Sequence, residues 1–429
     1  MKKIASVTVL AVVFAMILSM FTSCSIFDYS SSLNSGTQGG EDYMTEDEVR
    51  DLIAGNMSGN VTIDNVNDYD ITINASGDRN LIAAAKGVLS AVSVVCKFNI
   101  TSGFGSQTTT ASAAGAGVIY KLDKAEGDAY IITNYHVVYE SRSKTANKIS
   151  NNINVYLYGM EDDAYAIPAT FVGGSMTQDL AVLKVEDSRI LAESNAMEVD
   201  FADSDEISIL DTAIAIGNPE GGGISATVGC INVDSEEIQM YASDGMTKIK
   251  LRLIRIDTAV NSGNSGGGLF DDSGRLIGIV NAKISADGID NIGYAIPSNI
   301  VKGVADNVIH YCDKTTRENP YKYLIGITMG KSAMYTVYDE ETGRVHKRED
   351  VTVASVTAGS LAEGYFRVGD VLKSITIDGV KYEINRMFQI TDRMYSVYEN
   401  STVVIEVLRG ETQMTFEISF AGRVAEKVA

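Results

Sequence analysis

Histidine, cysteine and proline are scarce in this sequence, and each shortage excludes a class of protein. The 429 residues include three histidines, four cysteines and four prolines. So few imidazoles argue against a zinc centre, and we expect no metal and no other cofactor. His310 and His346 are interpreted as surface residues. Four prolines exclude a proline-rich stalk. The cysteines show no Cys-x-x-Cys spacing, so we expect Cys96, Cys230 and Cys312 to be mostly buried thiols without a disulfide framework.

Positive charge is scarce as well. Lysine and arginine number 35 against 56 acidic residues, which gives a formal net charge of −21. Such a surface repels phosphate backbones, so we expect no nucleic-acid partner. Hydrophobic residues make up 45% of the chain and charged residues 21%, as in a globular body. The length allows two domains plus extensions.

The N-terminus has the pattern of an export signal. Two lysines precede an uncharged apolar run of 18 residues, Ile4–Phe21, and Thr22-Ser23-Cys24 follows. The pattern resembles a bacterial lipoprotein signal peptide over residues 1–23, with Cys24 as the lipidated first residue of the mature chain. The alternative is that the apolar run stays as an uncleaved membrane anchor. Both interpretations place the rest of the chain outside the cytoplasm, in the bacterial cell envelope.

Two segments are expected between this signal and the main body. Residues 24–43 are rich in Ser, Gly, Asn and Gln, which is typical of a flexible tether. Residues 44–80 form an N-terminal extension, in which Thr45-Glu-Asp-Glu48 has capping-box spacing ahead of a short helix.

From about Leu81 to Ile300 the sequence alternates short β segments with glycine-bearing turns. This spacing predicts antiparallel barrels or sandwiches. A helix is expected from about Ser298 to Tyr311, and residues 301–320 form a linker. Residues 321–422 form a separate unit of short strands, with a helical pattern from Asn385 to Tyr398. The fold class is therefore mainly β, with a smaller α+β domain towards the C-terminus.

The candidates for chemistry are a serine, a histidine and an aspartate at strand or turn boundaries. Ser265 lies in the glycine-dense turn Asn261–Leu269, His136 follows an apolar strand, and Asp179 precedes one. A serine hydroxyl is a poor nucleophile at neutral pH unless a base and a group that orients the base accompany it. Each residue alone indicates little, but their joint occurrence in the order His, Asp, Ser favours a catalytic triad.

Five segments resemble, in order, the motifs of the HtrA (Deg) family of serine proteases. They are Thr133–Val138, Asp179–Val185, Ala215–Pro219, Gly263–Gly267 and Gly293–Ser298. The resemblance covers roughly residue 81 to the C-terminus and implies a chymotrypsin-like double β-barrel over residues 81–300, with the site between the barrels. It also implies endopeptidase activity without ATP or another cofactor, and assembly as a homotrimer.

The resemblance implies a role for each residue of the site. His136 would act as general base and then as general acid, Asp179 would orient and stabilise the imidazolium, and Ser265 would be the nucleophile. Backbone amides of Gly263, Asn264 and Ser265 would form the oxyanion hole. The side chain of Asn264 is neutral, so it cannot form an ion pair with the new N-terminus that proteolytic activation would create. We therefore expect no activation by proteolytic trimming.

The specificity pocket is expected around Ala259, Val260 and Lys283. Ala259 lies six positions before Ser265, so no acidic group is present there to select Lys or Arg. Small or medium apolar side chains fit this position better. If Lys283 points into the pocket, the preference shifts towards acidic or polar side chains. If it points outward, it is a surface residue, which is the interpretation we favour.

Residues 321–422 resemble a PDZ domain. Tyr323-Leu-Ile-Gly-Ile327 is similar to a carboxylate-binding loop, and such domains add a peptide C-terminus as an extra strand at a sheet edge. The residues expected to hold the carboxylate are Leu324, Ile325, Gly326 and Ile327. The alternative is an ordinary β-turn in a small α+β domain. The segment Tyr335–Asp350 departs from the family pattern and is expected to be a charged hairpin insertion.

Two functional classes follow from these patterns. The leading hypothesis is an extracytoplasmic serine endopeptidase of protein quality control. Its expected partners are unfolded or misfolded proteins, peptide C-termini at the PDZ domain, and a membrane at the lipidated Cys24. The alternative is a catalytically silent peptide-binding scaffold or chaperone. A complete set of His136, Asp179 and Ser265 favours the first class.

Overall fold

The computed structural model describes residues 79–101, 108–282, 292–312 and 318–428. All of them fall within the compact unit Ser76–Ala429. The predicted signal peptide, the tether, the lipidation site Cys24 and most of the N-terminal extension lie outside the described residues, as does Lys283. Within the described part of the chain, no helix is both long and apolar enough to cross a membrane.

A twelve-residue helix, α1 (Arg79–Ser90), leads into the first of two closed β-barrels. The strands of the first barrel are β1 (Ala91–Thr101), β2 (Thr108–Asp123), β3 (Asp128–Thr133), β4 (Asn152–Leu157), β5 (Ile167–Ser175) and β6 (Leu180–Val185). They pair in the order β1-β2-β3-β6-β5-β4. A single-turn helix, α2 (Tyr135–Val138), follows β3.

The second barrel follows the short helix α3 (Arg189–Glu193). Its strands are β7 (Thr212–Gly217), β8 (Ser225–Tyr241), β9 (Lys248–Ile256), β10 (Gly268–Phe270), β11 (Leu276–Val280) and β12 (Gly293–Pro297). They close in the order β10-β11-β12-β9-β8-β7. Helix α4 (Ser298–Cys312) comes next and buries ten of its 15 residues. The two closed barrels confirm the predicted double-barrel architecture.

A shared apolar cluster joins the barrels, and strand β6 explains how. Successive side chains of a strand point to opposite faces. On one face of β6, Ala181, Leu183 and Val185 belong to the core of the first barrel. On the other face, Leu180 and Val182 belong to a cluster that also contains second-barrel, α4 and C-terminal residues. A continuously apolar strand therefore fills two cores at once. The shared cluster includes Ile216, Phe270, Val304 and Tyr395.

The C-terminal domain is a mixed α+β unit with its own core. Its elements are β13 (Tyr321–Lys322), β14 (Ile327–Asp339), β15 (Arg344–Val356), β16 (Val371–Ile377), β17 (Val380–Glu383), α5 (Met387–Arg393), β18 (Thr402–Arg409), β19 (Thr412–Ser419) and β20 (Glu426–Lys427). The main sheet has the order β14-β15-β16-β18-β19, so β14 is an edge strand. A 3₁₀ helix, Met394–Ser396, continues α5.

The interpretation of His346 as a surface residue is wrong, because the charged hairpin β14–β15 contacts the second barrel. Arg344 donates to Asp211 at 3.1 Å, and Lys347 donates to Asp234 at 3.3 Å. These ion pairs bring the strand between them against the barrel, and His346 is only 8% exposed. His310 is half-buried, with its ring 4.3 Å from the ring of Tyr398.

The three described cysteines differ in their environment. Cys96 and Cys312 are buried, as predicted, and burial raises the pKa of the Cys96 thiol to about 12. Cys230 is partly exposed instead, and its Sγ lies 3.3 Å from a carboxylate oxygen of Asp257. The hydrogen bond to this carboxylate adds to burial in raising the pKa of Cys230.

The half-buried Lys322 predicts a pH dependence of stability. Burial lowers its pKa to about 8, although Asp392 acts in the opposite direction. Between pH 8 and about 10.4, the ordinary lysine pKa, the unfolded chain therefore holds more protons at this residue than the folded chain. The contribution of Lys322 to the free energy of unfolding should rise with pH across this window, by up to about 3 kcal/mol.

Urea denaturation of wild type and Lys322→Met at pH 7 and pH 10.5 measures this contribution. We expect the stability difference, wild type minus variant, to increase towards high pH. Equal differences at the two pH values would contradict a lowered pKa at Lys322.

Candidate active site

The turn that carries Ser265 has a backbone that only glycine allows at its start. Gly263 has a φ of +95°. A Cβ atom at this residue would lie 2.1 Å from the carbonyl oxygen of Asn218, so any side chain would displace the neighbouring loop. The turn is closed by the amide of Asn264, which donates to the carbonyl of Asn261 at 3.0 Å. Ser265 itself is only 5% exposed.

Backbone hydrogen bonds hold this turn between the two barrels. The carbonyl of Ser265 accepts from the amide of Ala116 in β2 of the first barrel at 2.8 Å. The next amide, that of Gly266, donates to Val280 at the end of β11 in the second barrel at 3.0 Å. Ser265 is therefore positioned by both barrels.

The pair His136 and Asp179 comes from the first barrel. His136 lies in α2 after β3, and Asp179 lies in the turn between β5 and β6. The imidazole Nδ1 is 2.7 Å from Oδ2 of Asp179. The backbone amide of His136 donates to the other carboxylate oxygen at 3.0 Å. The carboxylate thus fixes both the ring and the backbone of the histidine, whose side chain remains 20% exposed.

The aspartate is buried and is held by donors on all its oxygen atoms. Its side chain is 3% exposed, and its φ of +52° lies in the left-handed region that residues other than glycine seldom adopt. Its backbone carbonyl accepts from the amide of Tyr135 at 3.1 Å and from the side chain of Asn134 at 2.9 Å. The carboxylate itself accepts from the amide and the ring of His136. A buried carboxylate needs donors of this kind to offset its lost hydration.

Two residues that the sequence analysis missed complete the arrangement. The side chain of Asn281, which is fully buried, donates to Oδ2 of Asp179 at 2.8 Å. The amide of the next residue, Ala282, donates to Oγ of Ser265 at 3.1 Å. One dipeptide at the end of β11 therefore contacts both the aspartate and the serine. The sequence does contain one indication of this role, an asparagine that directly follows the five buried residues of β11.

The serine and the histidine are not hydrogen-bonded to each other in the described structure. The hydroxyl oxygen of Ser265 accepts from Ala282, and the contacts of His136 are those to Asp179. The structure therefore brings the predicted base and its predicted orienting carboxylate into contact, and Asn281-Ala282 links this pair to the predicted nucleophile. Proton transfer from Oγ to Nε2 requires these two atoms to approach more closely.

The predicted oxyanion donors fall into two groups. The amide of Asn264 is used inside the turn and cannot reach a substrate. Among the described residues, no protein acceptor receives the backbone N–H of Gly263 or Ser265. Two amides separated by one residue are thus available to a bound oxygen.

The predicted pocket residues are only partly described. Ala259 is exposed, and its carbonyl accepts from the hydroxyl of Thr227 at 3.1 Å. Val260 is half-buried and packs against the core of the second barrel. Lys283 lies outside the described residues, so the direction of its side chain stays open.

The predicted carboxylate loop is held through its carbonyl groups. The carbonyl of Ile325 accepts from Ala362 at 2.9 Å, and that of Gly326 accepts from Thr357 at 2.8 Å. Gly326 has a φ of +93°, and a Cβ there would lie 2.1 Å from Cβ of Ser360. Among the described residues, no protein acceptor receives the N–H of Leu324, Ile325 or Gly326. Ile327 begins the edge strand β14.

Known proteins share this chain's sequence features. A family model described as a trypsin-like peptidase domain matches residues 115–279. The chain is 31% identical to the serine protease Do-like HtrA of Lactococcus lactis subsp. cremoris over 320 residues. The aligned region covers 72% of this chain and 71% of that relative. The chain belongs to the HtrA family of serine proteases.

Other members of the HtrA family match over different lengths. The serine protease Do-like HtrA of Bacillus subtilis is 34% identical over 320 residues, which are 73% of this chain and 64% of that relative. The periplasmic serine endoprotease DegP of Salmonella typhimurium is 32% identical over 220 residues, 50% of this chain and 40% of DegP. A solved structure of the HtrA-type protease AlgW with a decapeptide aligns with a TM-score of 0.47 and 24% identity, over 82% of this chain and 98% of that chain.

The contact between Asn281 and Asp179 predicts a graded loss of activity in this HtrA-family chain. Asn281→Ala removes one donor from a buried carboxylate, and we expect kcat/KM to fall about tenfold. Asn281→Asp sets a second carboxylate against the first, so the loss should be larger. Peptide hydrolysis and thermal melting of both variants measure activity and folding separately. Equal activity in Asn281→Ala and wild type would contradict a role for this donor.

Proposed function

We propose that this HtrA-family chain is a serine endopeptidase that hydrolyses unfolded or misfolded proteins outside the cytoplasm, without ATP. The observation that carries the proposal is the buried pair of Asp179 and His136 beside Ser265, with Asn281-Ala282 in contact with both the aspartate and the serine. The name of the Salmonella relative, a periplasmic serine endoprotease, supports the extracytoplasmic location.

In the proposed mechanism, the hydroxyl oxygen of Ser265 attacks the carbonyl carbon of the scissile peptide while Nε2 of His136 takes the hydroxyl proton. The tetrahedral adduct breaks its C–N bond as the imidazolium returns that proton to the leaving amine. A water molecule then attacks the acyl ester with His136 again as base, and the acid product and free Ser265 are released. Asp179 stabilises the imidazolium through Nδ1.

The amides of Gly263 and Ser265 are the proposed oxyanion donors, because neither has a protein acceptor within the described structure. Removing one donor of this kind in a comparable enzyme costs about 3 kcal/mol of transition-state stabilisation. Ala259 and Val260 remain the proposed wall of an apolar pocket, and the contribution of Lys283 remains a prediction.

We also propose that the C-terminal domain is a PDZ domain. The amides of Leu324, Ile325 and Gly326 have no protein acceptor in the described part of the chain and directly precede the edge strand β14. A peptide C-terminus can meet the amides with its carboxylate and the strand with its backbone. Membrane attachment through Cys24 and assembly as trimers complete the proposal. We also propose that the domains have the boundaries predicted from the sequence.

The second candidate function is a catalytically silent scaffold or chaperone that binds peptides through the barrels and the C-terminal domain. Among the described residues, Ser265 and His136 share no hydrogen bond, and this favours the alternative. A chemical probe of the serine separates the two functions.

The proposed enzyme should react covalently with a fluorophosphonate at Ser265. We expect labelling of wild type, no labelling of Ser265→Ala, and unchanged labelling of the control Ser262→Ala, which alters an exposed serine in the same turn. Asp179→Asn should lower the hydrolysis rate by roughly 10⁴-fold, because the imidazole then loses its anionic partner. Folded wild type that stays unlabelled in the presence of a substrate peptide would favour the scaffold.

The proposed PDZ loop should distinguish a free C-terminus from a blocked one. We expect a fluorescent apolar peptide with a free carboxylate to bind at least about tenfold more tightly than its C-terminal amide, because the amide carries no charge for the loop amides. Gly326→Ala should weaken binding, while Gly379→Ala, which also has a positive φ but no atom within 4 Å, serves as the control. Equal anisotropy titrations with the two peptides would contradict the proposal.

A further inference from the structure

A cavity of about 470 Å³ opens on the surface of the second barrel. Its walls come from the segment before β7, from the turn between β10 and β11, and from Arg344 of the β14–β15 hairpin. A volume of this size is typical of a ligand-binding site. Thr212, the first residue of β7, lines the cavity, while a Cβ on the last residue, Gly217, would lie 2.8 Å from Cα of Asn264. The cavity is therefore at the opposite end of β7 from the turn of Ser265.

The floor of the cavity is apolar. Ala202, Ile207, Ile231 and Ile277 line it, and all four belong to the core of the second barrel. At its edge, Leu210 is 77% exposed and has a φ of +68°, a conformation that residues other than glycine seldom adopt. Its amide donates to the carbonyl of Ile231 at 2.8 Å, which holds this backbone in place. A large apolar side chain is thus fixed in water beside an apolar floor, as in surfaces that bind a partner.

The rim of the cavity is acidic. Five carboxylates and two guanidinium groups line it, which leaves an excess of three negative charges. The carboxylates are those of Asp203, Glu206, Asp211, Asp271 and Asp272. Four of them have an arginine partner at 2.7 to 3.4 Å, two of these arginines coming from outside the cavity lining. The exception is Glu206, which is exposed and takes part in no ion pair with the residues that the structure describes. The rim can therefore accept a further cation.

The charges indicate what kind of molecule fits the cavity. An acidic rim over an apolar floor is complementary to a segment that carries both basic and apolar side chains. The predicted N-terminal extension, residues 44–80, does not match, because it contains eight acidic and two basic residues. A second copy of the chain brings a net charge of −21 and is repelled as well. The complementary occupant is therefore a basic polypeptide other than this chain.

We propose that this cavity is a secondary substrate site, which binds a basic and apolar segment of an unfolded protein while Ser265 acts on another part of the same molecule. The inference rests on the proposed peptidase function and adds a class of substrate to it. The six residues of β7 separate the cavity from the turn of Ser265 by roughly 17 Å. An extended polypeptide needs at least about six residues to span this distance. An unfolded protein can occupy both places, whereas a shorter peptide cannot.

Peptide binding to the full chain with Ser265→Ala, which lacks the proposed nucleophile, tests the secondary site. The probes are fluorescent peptides of about ten residues that alternate Leu with Lys, Leu with Glu, or Ser with Lys. All carry a C-terminal amide, so they lack the carboxylate that the proposed PDZ loop recognises. We expect the Leu-Lys peptide to bind at least about tenfold more tightly than the other two, because it alone matches both the rim and the floor. Its affinity should fall as the ionic strength rises.

Two further substitutions locate the binding. Glu206→Gln removes the unpaired carboxylate, and Leu210→Asn removes the exposed apolar side chain while introducing a residue that tolerates a positive φ. We expect each to weaken binding of the Leu-Lys peptide about fivefold without lowering the melting temperature. The matched controls are Glu237→Gln and Met246→Asn, which alter an exposed carboxylate and an exposed apolar side chain outside the cavity. These controls should leave the affinity unchanged.

Kinetics give a second measurement. With a lysine-rich unfolded protein as substrate, Glu206→Gln should raise KM about fivefold and leave kcat unchanged, while hydrolysis of a tetrapeptide stays the same. Equal binding of the Leu-Lys and Leu-Glu peptides, equal weakening by the control variants, or an unchanged KM for the protein substrate would each overturn the proposal.

Fluorophosphonate labelling of Ser265 in the wild-type chain tests the peptidase function separately. Labelling without selective peptide binding would reject the secondary site alone. Selective binding to a chain that is not labelled would reject the peptidase and, with it, the assignment of the bound segment as substrate.

Discussion

The buried carboxylate of Asp179 is the constraint on which the rest of the site depends. An ion that is removed from water must find donors inside the protein, or its lost hydration destabilises the fold. The donors come from both barrels, His136 from the first and Asn281 from the second. Satisfying this one charge therefore requires the barrels to close on each other, and the same closure brings Ser265 beside the base that we propose.

The apolar core supports this closure without directional bonds. Strand β6 directs Leu180 and Val182 into the cluster shared by the barrels, immediately after the turn that carries Asp179. Tyr395 of the C-terminal domain enters the same cluster. The catalytic residues and the peptide-binding domain that we propose are thus two parts of one packed body.

Predictions succeeded where the cause is local and failed where it is distant. Apolar patterns in short segments identify many of the strands, and the glycine-dense turn Asn261–Leu269 identifies the turn of Ser265. The burial of His346 was not predictable, because it depends on ion pairs between a hairpin and a barrel more than 100 residues earlier in the chain. Asn281 was missed for a similar reason, since its partner is 102 residues away.

Local sequence is sufficient to define many strands and helices of this protein, its mainly β class and the three residue types of a triad, because hydrophobic periodicity and turn chemistry act over a few residues. The double barrel was implied by the resemblance to a family. The packing of the closed barrels decides which donors surround Asp179 and which amide reaches the hydroxyl oxygen of Ser265. Hydrogen bonds need their partners within about 3 Å. Distances of that kind between remote residues are set by the packing of the whole chain.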